Sequence, residues 1–196
     1  MKKSVLKKYA HLIAKVGGNV QKGQYVQVYA TVDQEELVNY VVEDCYKLGA
    51  RLVEVIWSSD KVDKTTYKKA KTKALCEFPE YKVEKQKYMN EKLPVMIHIE
   101  SSDPDALKGI NQAKFAEVSR FTRAKIKPFR NLRENKYQWT IAGAASKEWA
   151  KKVFPGVPAK KATQMLWDAI LKTSRCNEDP IKAWEQHNAD LKKRFT

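Results

Sequence analysis

The side chains able to ligate a metal, relay a proton or attack a carbonyl are sparse and scattered in this 196-residue chain. Its three histidines, His11, His98 and His187, lie far apart. None has a second His or a Cys two to four positions away, the local spacing that metal sites use. Cys45, Cys76 and Cys176 are separated by 31 and 100 residues. An odd, dispersed set is neither a CxxC motif nor a disulfide framework. It predicts buried or inert thiols in a reduced, cytoplasmic protein. Glycine spacing adds no phosphate cradle: Gly17-Gly18-…-Gly23 precedes the first strand and fits a helix stop and a turn. A G-x-S-x-G elbow and an H-E-x-x-H helix are both absent. His98 falls in a strand and is expected as a core imidazole with one hydrogen bond. His11 and His187 are expected on helix surfaces.

The charge pattern carries more. Lysine and arginine number 38 against 23 acidic residues, a net charge of +15. Such a balance favours an anionic partner. Only seven of the basic residues are arginine, however, and bidentate reading of phosphates and bases favours arginine. Arg120, Arg123, Lys127 and Arg130 recur at i, i+3, i+7 and i+10. On a helix they fall within about 80° of one face. That face is either solvated or a stripe that binds phosphates or carboxylates.

These residues are positioned by alternating elements. Leu6, Tyr9, Leu12, Ile13 and Val16 predict a first helix, stopped at Gly17-Gly18. Strands are expected over 24–30, 51–57, 94–100 and 137–142, each a nearly continuous apolar run. Between the first two lies a helix from an Asp33 N-cap to Gly49. Residues 60–92 read as lysine-rich helix broken at Phe78-Pro79. Asn111 to Asn135 reads as a long helix that Pro128 must end or kink. After the fourth strand the chain is helical, over 146–153, 158–174 and 179 to about 194. The fold class is therefore α/β: a mainly parallel open sheet of about four strands, helices on both faces, and a helical carboxyl-terminal segment. Residues 1–196 form a single domain on this reading. No apolar run approaches the ~18 residues of a membrane helix, and the charged amino terminus lacks the apolar core of a signal peptide.

In a parallel sheet the loops after the strands share one edge, where ligands usually bind. Here they are Thr31-Val32-Asp33, Ser58-Ser59-Asp60, Ser101-Ser102-Asp103 and Gly143-Ala144-Ala145-Ser146. Helix capping alone also explains their polar residues. Ser58, Asp60, Ser102, Asp103, the four stripe cations Arg120, Arg123, Lys127 and Arg130, and Trp149 are the candidate cleft or interface residues. No catalytic residue and no metal ligand is assigned.

Several segments resemble one family in order along nearly the whole chain. Tyr9-Ala10-…-Leu12-Ile13-…-Val16-Gly17, Asn19-Val20-Gln21-Lys22-Gly23-Gln24 and Val53-Glu54-Val55-…-Trp57-Ser58 open the match. Phe78-Pro79, Asp103-Pro104-Asp105 and Trp149-Ala150-Lys151-Lys152-Val153-Phe154-Pro155 continue it, and Asp179-Pro180-…-Ala183-Trp184-…-His187 ends it. Together they resemble the thermophilic-type metallo-aminopeptidases (aminopeptidase T, aminopeptidase S and PepS). Two loops depart from the pattern: Ser59-Asp60 stands where Asp-Asp is usual, and Ala144-Ala145 where a proline often precedes the serine.

The resemblance implies the amino-terminal half of a two-domain enzyme that releases the first residue of a peptide. It implies two divalent metal ions, such as zinc, cobalt, manganese or magnesium, held by a carboxyl-terminal catalytic half, and none held here. The implied partners are that catalytic domain, a second copy in a homodimer and a peptide substrate, with no nucleic acid and no membrane. This piece alone is expected to be inactive. The competing reading is a stand-alone basic α/β domain binding RNA or another polyanion through the stripe. Docking on a catalytic half predicts an exposed aromatic, with at least one of Trp149, Trp167 and Trp184 at the surface and the stripe flanking the same cleft.

Overall fold

The computed structural model describes residues 2–194. Strand β1 (Tyr25–Thr31) is central. It pairs in parallel with β2 (Leu52–Ser58) on one side and β3 (Val95–Glu100) on the other, and β4 (Trp139–Gly143) adds to β3. The sheet order is β2-β1-β3-β4. All four expected strands are present, each shifted by one or two residues.

One face of the sheet is apolar. Val26, Val28 and Ala30 of β1 and Val95, Ile97 and Ile99 of β3 are buried there. Over them pack α1 (Lys3–Leu12), which continues as a turn of π-helix to Gly17, and α2 (Glu35–Lys47). The helices α8 (Ala159–Thr173) and α9 (Pro180–Arg194) add Leu171 and Trp184 to the same core. Tyr9 ties α1 to the far strand by donating its hydroxyl to the Gly143 carbonyl at 2.9 Å. Gly49, with φ of +93°, ends α2 as expected, because only glycine adopts that conformation without strain. The Gly17-Gly18 stop works differently from expectation. Both glycines have negative φ, and the left-handed residue is Asn19. Gly17 is needed for closeness instead: a Cβ there would meet Thr140 Oγ1 of β4 at 2.7 Å.

The opposite face is polar, which the apolar strand runs did not announce. Gln27 is buried in mid-strand and donates to Glu54 Oε2 at 2.7 Å. Tyr25 also donates to Glu54, and Tyr29 donates to Gln27 at 2.9 Å. Burial pushes the Tyr25 and Tyr29 hydroxyls up. Burial opposes ionisation of Glu54 as well, but hydrogen bonds from Tyr25, Gln27 and Lys85 hold it below the usual carboxylate value. Covering this face are α5 (Glu80–Lys92) and the long α6 (Gln112–Arg133), with α3 (Asp60–Lys69) and α4 (Thr72–Leu75) beside them. α6 neither ends nor breaks its helical assignment at Pro128. The bond lost there is the one to the Ala124 carbonyl, and both residues are exposed, so water can donate to that carbonyl in place of the missing N–H. α7 (Lys147–Val153) and α8 enclose a small satellite core around Ala150 and Leu166. At the sheet's end, Trp139 and Ile141 of β4 are 61% and 63% exposed on one face.

Replacing Gly17 by alanine tests the close approach. The helical backbone alone favours alanine by roughly 0.5–1 kcal/mol, whereas overpacking costs about 1–3 kcal/mol. Gly17→Ala is therefore expected to destabilise the chain in urea melts. In a Thr140→Ala background, which removes the nearest atom, the penalty is expected to shrink by about 1 kcal/mol or more.

Candidate functional site

The sheet order places a reversal between β1 and β3, where successive connections leave in opposite directions. Open α/β sheets bind ligands at that point, outside the carboxyl ends of the strands. Here the ends are tied side to side. Thr31 Oγ1 lies in hydrogen-bond contact with both Ser101 Oγ and Asp33. Ser101 also donates to Asp33 Oδ1 at 3.4 Å, and Gln34 donates to Asp33 Oδ2 at 2.9 Å. Thr31, Gln34 and Ser101 are buried. The Asp33 carboxylate thus binds the two strand ends together and does not cap α2, whose first turn has no side-chain cap. Sequence reading placed Asp33 at the helix start because Asp is a good cap; only the β1–β3 pairing reveals its other use.

A groove of about 800 Å³ opens beside this cluster, lined among others by Asp33, Gln34, Ser146, Lys147, Thr163 and Trp167. Its lining contains no histidine or cysteine. Ser146 is engaged as the cap of α7, accepting from the Trp149 N–H at 3.2 Å. The groove can bind or pack, but it has no nucleophile–base pair.

The candidate residues divide into three places. Asp60 and Asp103 come together: the Asp103 N–H donates to Asp60 Oδ2 at 2.8 Å, which ties the loop after β2 to the loop after β3. Asp103 Oδ1 accepts from the Asp105 N–H at 2.9 Å, so neither aspartate caps a helix. Ser58 donates to the Ala30 carbonyl at 3.4 Å, and the Ser102 N–H donates to Glu100 at 3.0 Å. Arg120, Arg123, Lys127 and Arg130 line one exposed side of α6, in grooves that include no residue of the strand-end loops. Trp149 sits apart, half-buried in the satellite core against Gly143. Trp167 and Trp184 are likewise half-buried, so the expectation of a surface tryptophan among these three fails. Core packing against α8 and α1 claims them, and the exposed tryptophans are Trp57 and Trp139.

Arg133, three residues past Arg130 on α6, is not among the candidate residues. Its side chain turns inward, 5% exposed, donating to Asn90 Oδ1 at 2.9 Å and to Gln86 Oε1 at 3.0 Å. Its Nε has no partner among the described residues.

The ligand types are dispersed in space as in sequence. His11 lies 3.5 Å from Asp44, half of its side chain in water. His98 stacks on Tyr29, with centroids 4.8 Å apart and planes 11° apart, in place of the expected hydrogen bond. His187 meets the edge of Trp184. Burial pushes the Cys45 thiol up to about 12 and the Cys176 thiol up to about 11, which makes both poor nucleophiles. No group of three His, Cys, Asp or Glu side chains among the described residues could hold a metal ion.

Comparison with known proteins gives this geometry its context. Residues 2–196 match the family described as thermophilic metalloprotease (M29). The chain belongs to that family. Aminopeptidase AmpS of Bacillus subtilis is 39% identical over 188 residues, covering 95% of this chain and 46% of the relative. Aminopeptidase T of Thermus thermophilus is 32% identical with the same coverage. The solved structure of wild-type AmpT from Thermus thermophilus superposes with a TM-score of 0.84 at 31% identity, over 96% of this chain and 46% of that one. The chain thus spans about half the length of the curated relatives it matches and corresponds to their amino-terminal part. The family is one of metalloproteases, yet no group of donors among the described residues fits a metal centre. No described helix is long and apolar enough to cross a membrane.

Two variants check the site's physical chemistry. Asp33→Ala leaves the buried hydroxyls of Thr31 and Ser101 without their shared acceptor and is expected to cost about 1–3 kcal/mol in urea melts. Burial holds the His98 imidazole below its usual value near 6.5, Glu100 opposing weakly. Its contribution is full above about pH 6.5 and is lost as the pH falls below that, because the unfolded chain then binds the extra proton. His98→Phe keeps a ring on Tyr29, and its stability is expected to fall less between about pH 7.5 and 5.5 than that of the parent chain.

Proposed function

We propose that this chain is the amino-terminal portion of a metal-dependent aminopeptidase that removes amino-terminal residues from peptides. The observation that carries this is the match to an amino-terminal segment of enzymes named aminopeptidases, at 39% identity over 95% of the chain, together with the TM-score of 0.84. On this reading residues 1–196 are one domain. Its work is positioning: it docks on a catalytic half that holds two divalent metal ions, such as zinc, cobalt, manganese or magnesium, and it takes part in a homodimer. A metal-activated hydroxide and a polarised carbonyl would then come from that other half. The loops carrying Ser58, Asp60, Ser102 and Asp103 form one wall of the peptide cleft, and the protein is cytoplasmic. The reading is supported by the dispersed histidines and by the Cys45 and Cys176 thiols, whose pKa values burial pushes up.

Two assays test it. An antibody against residues 1–196 is expected to detect a protein of about twice the 22.6 kDa mass in native cells. Immunopurified, that protein is expected to release p-nitroaniline from leucine p-nitroanilide, and to lose the activity in a chelator. The 196-residue chain alone is expected to release none with added zinc, cobalt or manganese. Metal-stimulated hydrolysis by the short chain would overturn the division of labour. A longer protein without aminopeptidase activity would overturn the whole reading.

A further inference from the structure

The cations of α6 line a trough. Between α3 and α6 a groove of about 340 Å³ is formed by Tyr67, Ser119, Thr122, Arg123, Lys127 and Arg130, floored by Ile126. A second groove of about 560 Å³ includes Arg120, and the row Ser119, Arg123 and Lys127 borders both grooves. Neither is lined by a carboxylate.

The cations are also unneutralised. Among the described residues every acidic partner in an ion pair is taken by a lysine or by His11. None of Arg120, Arg123, Lys127 and Arg130 has one. Glu117, the helix's own carboxylate, does not pair with them. Like charges one turn apart destabilise a helix. Here they stand beside three hydroxyls, those of Tyr67, Ser119 and Thr122. An anionic ligand along the trough would relieve the repulsion and use both sets of donors.

The chemistry narrows the ligand. Guanidinium forks match carboxylates and phosphates alike. Single-stranded nucleic acid additionally needs open aromatic faces on which bases stack. The rings near the trough are engaged: Phe115 packs edge-on against Tyr67 with centroids 5.3 Å apart, and Phe121 is covered by Lys125. The span from Arg120 to Arg130 is about 15 Å at the helical rise. That is the reach of about five extended residues. We propose that the trough between α3 and α6 is a docking site for an extended acidic peptide segment, its carboxylates pairing with Arg120, Arg123, Lys127 and Arg130. The proposal stands on the trough and not on the aminopeptidase reading.

The test is fluorescence anisotropy of the 196-residue chain with fluorescein-labelled hexaglutamate, at low and at physiological salt. Three comparisons decide it. Arg123→Gln with Arg130→Gln removes two trough cations. Lys15→Gln with Lys172→Gln removes two exposed cations elsewhere. Labelled hexauridylate replaces the peptide in the third. Saturable binding of hexaglutamate is expected, weakened at least fivefold more by the trough pair than by the control pair, and tighter than hexauridylate at equal salt. All exchanged residues are exposed, and matching thermal melts verify the folds. Absence of saturable binding overturns the proposal. So does a smaller difference between the two pairs, because net charge then explains the affinity. Hexauridylate binding as tightly as the peptide overturns it in favour of a general polyanion surface.

Discussion

The arrangement of this chain depends on β1 having a parallel neighbour on each side. Parallel strands cannot be joined by a tight turn, so each step along the sheet requires a crossover through a helix. Crossovers are right-handed almost without exception. The step from β1 to β2 therefore lays α2 on one face, and the steps in the other direction lay α5 and α6 on the opposite face. The same reversal places the end of β1 next to the end of β3. There two strands leave side by side with no connecting turn, and the bond from Asp33 to Thr31 and Ser101 closes the gap. One strand's position thus sets the layering and the place where the loops converge.

The two faces are built on different physics. The α1–α2 face is held by interdigitating Val, Ile, Ala and Leu side chains. The α5–α6 face is held by a chain of side-chain hydrogen bonds through Tyr29, Gln27, Tyr25 and Glu54, ending at Lys85 in solvent. Such a network tolerates little rearrangement, because a buried donor or acceptor that loses its partner costs more than the bond contributed. Arg133 completes that layer by neutral amides, and no carboxylate among the described residues pairs with it.

Much of this was legible in the sequence, and what was not has a common cause. Apolar periodicity and glycine stops located the four strands and the helices within a few residues. The Ser146 cap was read correctly because it depends on neighbours three residues away. Gln27 reads as one polar residue in an apolar run, and nothing local says that Glu54, 27 residues on, will receive it. Local rules make Asp33 a cap because its long-range partner Ser101 is invisible to them. They make Pro128 a break because its tolerance depends on which side of α6 faces water. The basic stripe was readable from spacing alone, but its trough needs Tyr67 from another helix. The tryptophans were misassigned for a similar reason, since periodicity finds helix faces but not which face another helix will cover.

The open end of the sheet has a colloidal consequence. β4 presents a free backbone edge, and beside it Trp139 and Ile141 stand more than half in water. An exposed apolar edge strand is a template for pairing with another molecule. What keeps copies of this segment apart is their shared net charge of +15, acting over the Debye length. That length shrinks from about 30 Å at 0.01 M salt to about 8 Å at physiological ionic strength. Added salt therefore weakens the repulsion that holds such edges apart.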